Sequence, residues 1–111
     1  VPDGLDLIFQ ALADPTRRAI LERLAATDLT VGEIAEPFPM TLQAVSKHLK
    51  VLERAGLVVR GTDAQWRTAG LDPRPLAQVS AWIRPYERFW TQRPAGPGRG
   101  AGGGASPVRP A

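Results

Sequence analysis

The chain has 111 residues and a net charge of +3, with one histidine and no cysteine. Those counts exclude a disulfide framework, a thiolate metal site, a cysteine nucleophile and any multi-histidine metal centre. No apolar run approaches the roughly 20 residues of a membrane span, and no basic-then-apolar leader opens the chain, so a soluble cytoplasmic protein is expected.

Leu5, Ile8, Phe9 and Leu12 recur at helical spacing and predict a first helix over 5–13. Asp14-Pro15 reads as a cap followed by proline at the first helical position. It opens a second helix that runs to residue 26, with Ala19, Ile20 and Leu24 inward. Thr30-Val31-Gly32-Glu33 has the spacing of a capping box, and Pro37 and Pro39 stop the short helix that follows. Thr41 caps a fourth helix, which Ala55-Gly56 ends. On a helical wheel Leu42, Val45, Leu49 and Leu52 fall in a sector about 80° wide. Gln43, Lys47, Lys50 and Arg54 lie opposite, with Ser46 and His48 on the flanks.

A strand over 57–60, a turn over 61–64 and a second strand over 65–68 make a hairpin. Asp72-Pro73 then opens a last helix to about residue 93, with an apolar stripe of Leu76, Val79, Trp82, Ile83, Tyr86, Phe89 and Trp90. Pro85 should kink it. Residues 94–111 hold six glycines and four prolines and should form a disordered tail, leaving residues 1–93 as one small domain. A lone core of that size is marginal, which favours a partner chain.

The order is mainly α with a small β-hairpin: short helix, turn, basic helix and hairpin make a winged helix-turn-helix. Charge is distributed to match. Residues 1–40 carry seven acidic and three basic side chains, whereas 41–67 carry Lys47, Lys50, Arg54, Arg60 and Arg67 against Glu53 and Asp63. A basic middle points one face toward a polyanion.

The major groove of DNA admits one helix bearing donors and acceptors. Gln43 suits adenine edges, Ser46 base or phosphate, and Lys47 and Lys50 phosphate or guanine. Thr41 marks a helix start whose amides favour phosphate. His48 borders the apolar stripe and suits phosphate or a local hydrogen bond. On the wing, Arg60, Gln65 and Arg67 are the candidate DNA contacts, and Trp66 is expected to pack against the domain. No nucleophile or acid–base pair is arranged around His48, so no enzyme activity, cofactor or metal is expected. The last helix is too apolar to cover one small domain. Leu5, Ile8, Phe9, Leu12, Val79, Trp82, Ile83, Tyr86, Phe89 and Trp90 are therefore assigned to a homodimer seam, as two-fold operators require. Two other readings stay open: a winged-helix module that uses the same face on an acidic protein partner, and a DNA-binding sensor of a small apolar ligand.

Two stretches, Leu12-Ala13-Asp14-Pro15-Thr16-Arg17-Arg18-Ala19-Ile20-Leu21 and Ala44-Val45-Ser46-Lys47-His48-Leu49-Lys50-Val51-Leu52-Glu53, resemble the ArsR/SmtB-like winged-helix repressors. Asp63-Ala64-Gln65-Trp66-Arg67 and the Trp82, Tyr86, Phe89-Trp90 pattern are similar to a metal-independent branch of that family. The resemblance implies a dimeric bacterial transcriptional regulator, usually a repressor, whose fourth helix reads a short inverted-repeat operator. Metal-sensing members carry Cys-X-Cys in the third helix; the matching positions here are Thr30 and Gly32, neither of which replaces a thiolate.

Overall fold

Helix starts in this chain are written in local capping chemistry. The computed structural model describes residues 4–61 and 67–91, which fall into two compact units, one up to residue 80 and one from residue 81 onward. The first unit contains helices α1 (Gly4–Leu12), α2 (Pro15–Ala26), α3 (Val31–Ala35) and α4 (Leu42–Arg54). It also holds strands β1 (Leu29–Thr30), β2 (Val58–Arg60) and β3 (Thr68–Leu71), and the start of α5 (Arg74–Ile83).

The Asp14 carboxylate accepts the Arg17 amide at 3.0 Å and opens α2 with Pro15 at its first position. The Thr30 hydroxyl accepts the Glu33 amide at 3.2 Å while the Glu33 carboxylate accepts the Thr30 amide at 2.9 Å, a complete capping box. The Thr41 hydroxyl accepts the Ala44 amide at 3.1 Å and starts α4. At the other end the Gly56 amide bonds the Glu53 carbonyl and the Leu57 amide the Leu52 carbonyl, both at 2.9 Å. This is a Schellman closure, and it places Gly56 at φ +80°. The end of α1 is closed from outside. Arg17 donates through Nε to the Ala11 carbonyl at 2.8 Å and through Nη2 to the Gln10 carbonyl at 3.0 Å, and Arg18 donates to the Leu12 carbonyl at 2.7 Å. The Ala11 and Leu12 carbonyls at the helix end are thereby bonded, and the Gln10 carbonyl, which also accepts the Ala13 amide at 3.3 Å, gains a second donor.

The core joins all these elements: Ile8 and Ala11 of α1, Ile20, Leu21 and Leu24 of α2, Ile34 of α3, Val45, Leu49 and Leu52 of α4, and Leu57, Val58 and Ala69 are buried. Two inward assignments change. Leu21 rather than Ala19 joins the core of α2, and Leu42 is 55% exposed. Leu42 stands at the margin of the wheel sector, in the first turn of α4.

The sheet has three antiparallel strands in the order β1-β3-β2, one more than the sequence predicts. Thr30 pairs with Thr68 and Leu29 with Ala69, while Val59 pairs with Gly70 and Arg60 with Ala69. The described part of the second wing strand is β3 from Thr68, with Arg67 just ahead of it, while Gln65 and Trp66 of the expected strand lie outside the described residues. Close packing fixes Gly70, where an added Cβ would lie 2.7 Å from a carboxylate oxygen of Asp28.

The expected single helix over 72–93 is interrupted. α5 ends at Ile83, a 3₁₀ turn spans Arg84–Tyr86, and a further helix, α6, spans Arg88–Thr91. Pro85 in that turn breaks the α-helix outright, since it has no amide to continue the ladder. Asp72 acts one position earlier than expected: its carboxylate accepts the Arg74 amide at 3.0 Å and the Arg74 guanidinium at 2.7 Å. In the second unit the Trp82 and Tyr86 rings lie 5.3 Å apart, and the Arg88 guanidinium sits 4.8 Å over Phe89.

Candidate nucleic-acid interface

α4 is an amphipathic helix with one face committed to the core and the other in water. Val45, Leu49 and Leu52 fix its rotation, since all three are 0% exposed. Thr41, Gln43, Lys47 and Lys50 are consequently exposed, and Ser46 is half-buried on the flank. Among the described residues neither Lys47 nor Lys50 is ion-paired with a carboxylate. Their charges face solvent uncompensated, as phosphate binding requires.

His48 is held rather than free. Arg17 Nη1 lies 3.3 Å from His48 Nδ1, and a guanidinium only donates, so Nδ1 accepts and the ring proton of the neutral imidazole sits on Nε2. Asp14 Oδ2 is 3.9 Å from the same nitrogen. The Arg17 amide bond, with smaller help from the Arg17 charge and the Thr16 amide, holds the Asp14 carboxyl below its ordinary value. Arg17 thus joins the end of α1, the start of α2 and the middle of α4. The sequence reading assigned no role to Arg17 or Arg18; a cap signal at Asp14 followed by two arginines in the first turn, where positive charge opposes the helix dipole, was the available clue.

The wing contributes less charge than its composition promises. Arg60 Nη1 binds Glu53 Oε2 at 2.9 Å, so its charge is spent tying β2 to the last turn of α4. Arg67 is exposed at the start of β3, and Gln65 lies outside the described residues. The residues assigned to a dimer seam divide as well. Ile8 is 1% exposed within the core of its own chain, and Leu5, Leu12 and Val79 are partly buried against that core. Phe9 is 39% exposed, and in the second unit Trp82, Tyr86, Phe89 and Trp90 are 47–63% exposed. No described helix is long and apolar enough to cross a membrane.

A three-helix core with a short helix, a turn, an outward basic helix and a three-stranded wing defines a winged helix-turn-helix protein. Comparison with known proteins narrows that class. A helix-turn-helix domain family matches residues 12–60. The HTH-type transcriptional regulator Rv2034 of Mycobacterium tuberculosis is 48% identical over 87 residues, covering 78% of each chain. The transcriptional repressor SdpR of Bacillus subtilis is 34% identical over 76 residues, or 68% of this chain and 84% of that one. The crystal structure of an ArsR family transcriptional regulator is 41% identical with a TM-score of 0.73, covering 79% of this chain and 97% of the other. The solution structure of a homodimeric winged helix-turn-helix DNA-binding domain from Mycobacterium bovis is 25% identical with a TM-score of 0.62, covering 78% and 82%. The chain belongs to the ArsR family of winged helix-turn-helix proteins and is a DNA-binding transcriptional regulator.

Proposed function

We propose that the protein is a homodimeric cytoplasmic repressor that occupies a short, imperfectly palindromic operator through α4 and the wing. One observation carries the reading: the exposed Gln43 lies on the same outward face as the unpaired cations Lys47 and Lys50. Lys47, Lys50 and Arg67 supply the phosphate contacts, Gln43 and Ser46 read bases, and Thr41 presents the helix start to a phosphate. His48, whose Nε2 is left as a donor by the Arg17 bond, reaches a backbone phosphate at the edge of the helix. Arg60 holds the wing against α4 instead of touching DNA. The dimer is supported by the exposed aromatic side chains of the second unit and of Phe9, and by the homodimeric relative.

The test is binding to a duplex recovered by selection from a random library, measured as fluorescence anisotropy across a salt series. Lys50→Ala lowers the slope of log K against log salt by about 0.9 for each phosphate contact removed, on specific and random duplexes alike. Gln43→Ala costs on the order of 1–3 kcal/mol on the selected duplex and little on random DNA. An unchanged slope for the first, with saturable binding to an acidic protein partner in place of DNA, replaces this reading with that of a protein-interaction module.

A further inference from the structure

The first turn of α4 carries one side chain that neither the core nor the polar reading explains. Leu42 is the first residue of the helix, directly after the Thr41 cap, and it is 55% exposed. It lies at the edge of the buried stripe, beyond the part of the helix that the core covers, and precedes Ser46 by one helical turn. A helix that enters the major groove does so with its N-terminal residues against base edges. The apolar group of size presented there by the bases is the thymine C5-methyl; cytosine offers only a C5 hydrogen, and the remaining edge groups are donors or acceptors. An aliphatic side chain gains by covering that methyl and loses by covering the cytosine amino group or a guanine acceptor, whose water it strips without replacing the hydrogen bond.

We infer that Leu42 is a specificity-determining residue of this regulator, which selects thymine at one position of each half-site by packing on its methyl group. The assignment rests on the reading of α4 as the groove-reading helix. Lys47 and Lys50, one and two turns further along, set the register on the backbone, while Leu42 and Gln43 read adjacent positions. Leucine cannot hydrogen-bond, so the discrimination is one of shape and dehydration, and it is additional to whatever Gln43 reads.

The experiment uses the full chain and a duplex enriched by selection from a random library. Each thymine of that duplex is replaced in turn by deoxyuridine, which removes the methyl and nothing else. At one thymine per half-site the substitution weakens wild-type binding about fourfold, the affinity equivalent of one buried methyl group, and about fifteenfold when both half-sites are changed. Leu42→Ala weakens binding to the parent duplex to a similar extent and is indifferent to deoxyuridine at those positions, while its response at other thymines is that of the wild type. Wild-type binding unaffected by methyl removal everywhere overturns the assignment, as does an enriched duplex without thymine in the contacted half-sites. A Leu42→Ala variant that keeps the wild-type sensitivity overturns it too. Failure to enrich any duplex overturns the regulator reading and this assignment with it. Because the deoxyuridine scan uses the unmodified protein, it decides the question even if the variant folds poorly.

Discussion

Removing the Arg17 side chain tests whether the junction of α1, α2 and α4 is held by a few directional bonds or by apolar packing alone. In Arg17→Ala the Ala11 carbonyl and His48 Nδ1 lose their donor, and the Gln10 carbonyl keeps only the Ala13 amide. A hydrogen bond from a charged donor is worth about 1.5–3 kcal/mol when its partner is shielded from water, and far less at the surface. The Gln10 bond is exposed and water replaces it readily, whereas the Ala11 and His48 bonds are part-buried. The sum is about 2–3 kcal/mol, a large part of the roughly 5–15 kcal/mol that holds a domain of this size together. At about 4–8 °C per kcal/mol for a domain of this size, the melting temperature falls by about 10–20 °C. Urea unfolding followed by circular dichroism should show a lower midpoint with an unchanged slope, since the surface exposed on unfolding is the same. Arg17→Lys keeps the charge but lacks the planar fork, and should recover less than half of the loss. A midpoint shift below about 0.5 kcal/mol in the alanine variant, or full rescue by lysine, refutes the geometric argument and reduces Arg17 to a solvated charge.

Two further outcomes follow from the backbone and the caps. Gly56→Ala forces a Cβ into the left-handed region at φ +80°, with Pro75 Cγ 3.4 Å away, and should destabilise the protein by about 1–2 kcal/mol in urea titration; no change would show that the Schellman turn relaxes freely. Stability should also fall in acid: the hydrogen bonds and charge of Arg74 lower the Asp72 carboxyl from 3.8 to about 2. A depressed folded-state value adds stability above the unfolded value, so that contribution is intact above about pH 4 and is lost as pH falls toward 2, with Asp14 acting in the same direction. Asp72→Asn should flatten the urea midpoint against pH across that window, and parallel profiles for the two proteins would contradict the assignment.

What could be read from the sequence was local. Asp14, Thr30 and Thr41 announce helix starts because their side-chain oxygens bond amides three residues on, and Gly56 announces a helix end because a left-handed residue is needed there. The outward face of α4 was legible for the same reason, since Val45, Leu49 and Leu52 alone fix its rotation. What escaped depends on partners distant in the chain. β1 has two residues, too few to show an alternation, and exists because β3 lies beside it. β3 itself, Thr-Ala-Gly-Leu, has little strand preference and is selected by pairing on both edges. Leu42 fitted the apolar sector by angle, but an angle does not reveal how far the core extends along the helix axis. The Arg60–Glu53 pair and the Arg17–His48 contact likewise arise only once the chain has folded back on itself.

Thr30 occupies two elements at once: it is the last residue of β1, paired with Thr68 at the loop end of the hairpin, and the cap that starts α3. The strand beside the hairpin's loop end and the entrance to the helix-turn-helix therefore share one residue, with no linker to absorb relative movement. Glu53 and Arg60 clamp the opposite strand to the far end of α4. The two edges of the sheet are thus tied to α3 and to α4, like a ruler riveted to its handle. On the proposed reading, the spacing between groove contact and flanking phosphate contact is then a property of the free protein, set before any duplex arrives.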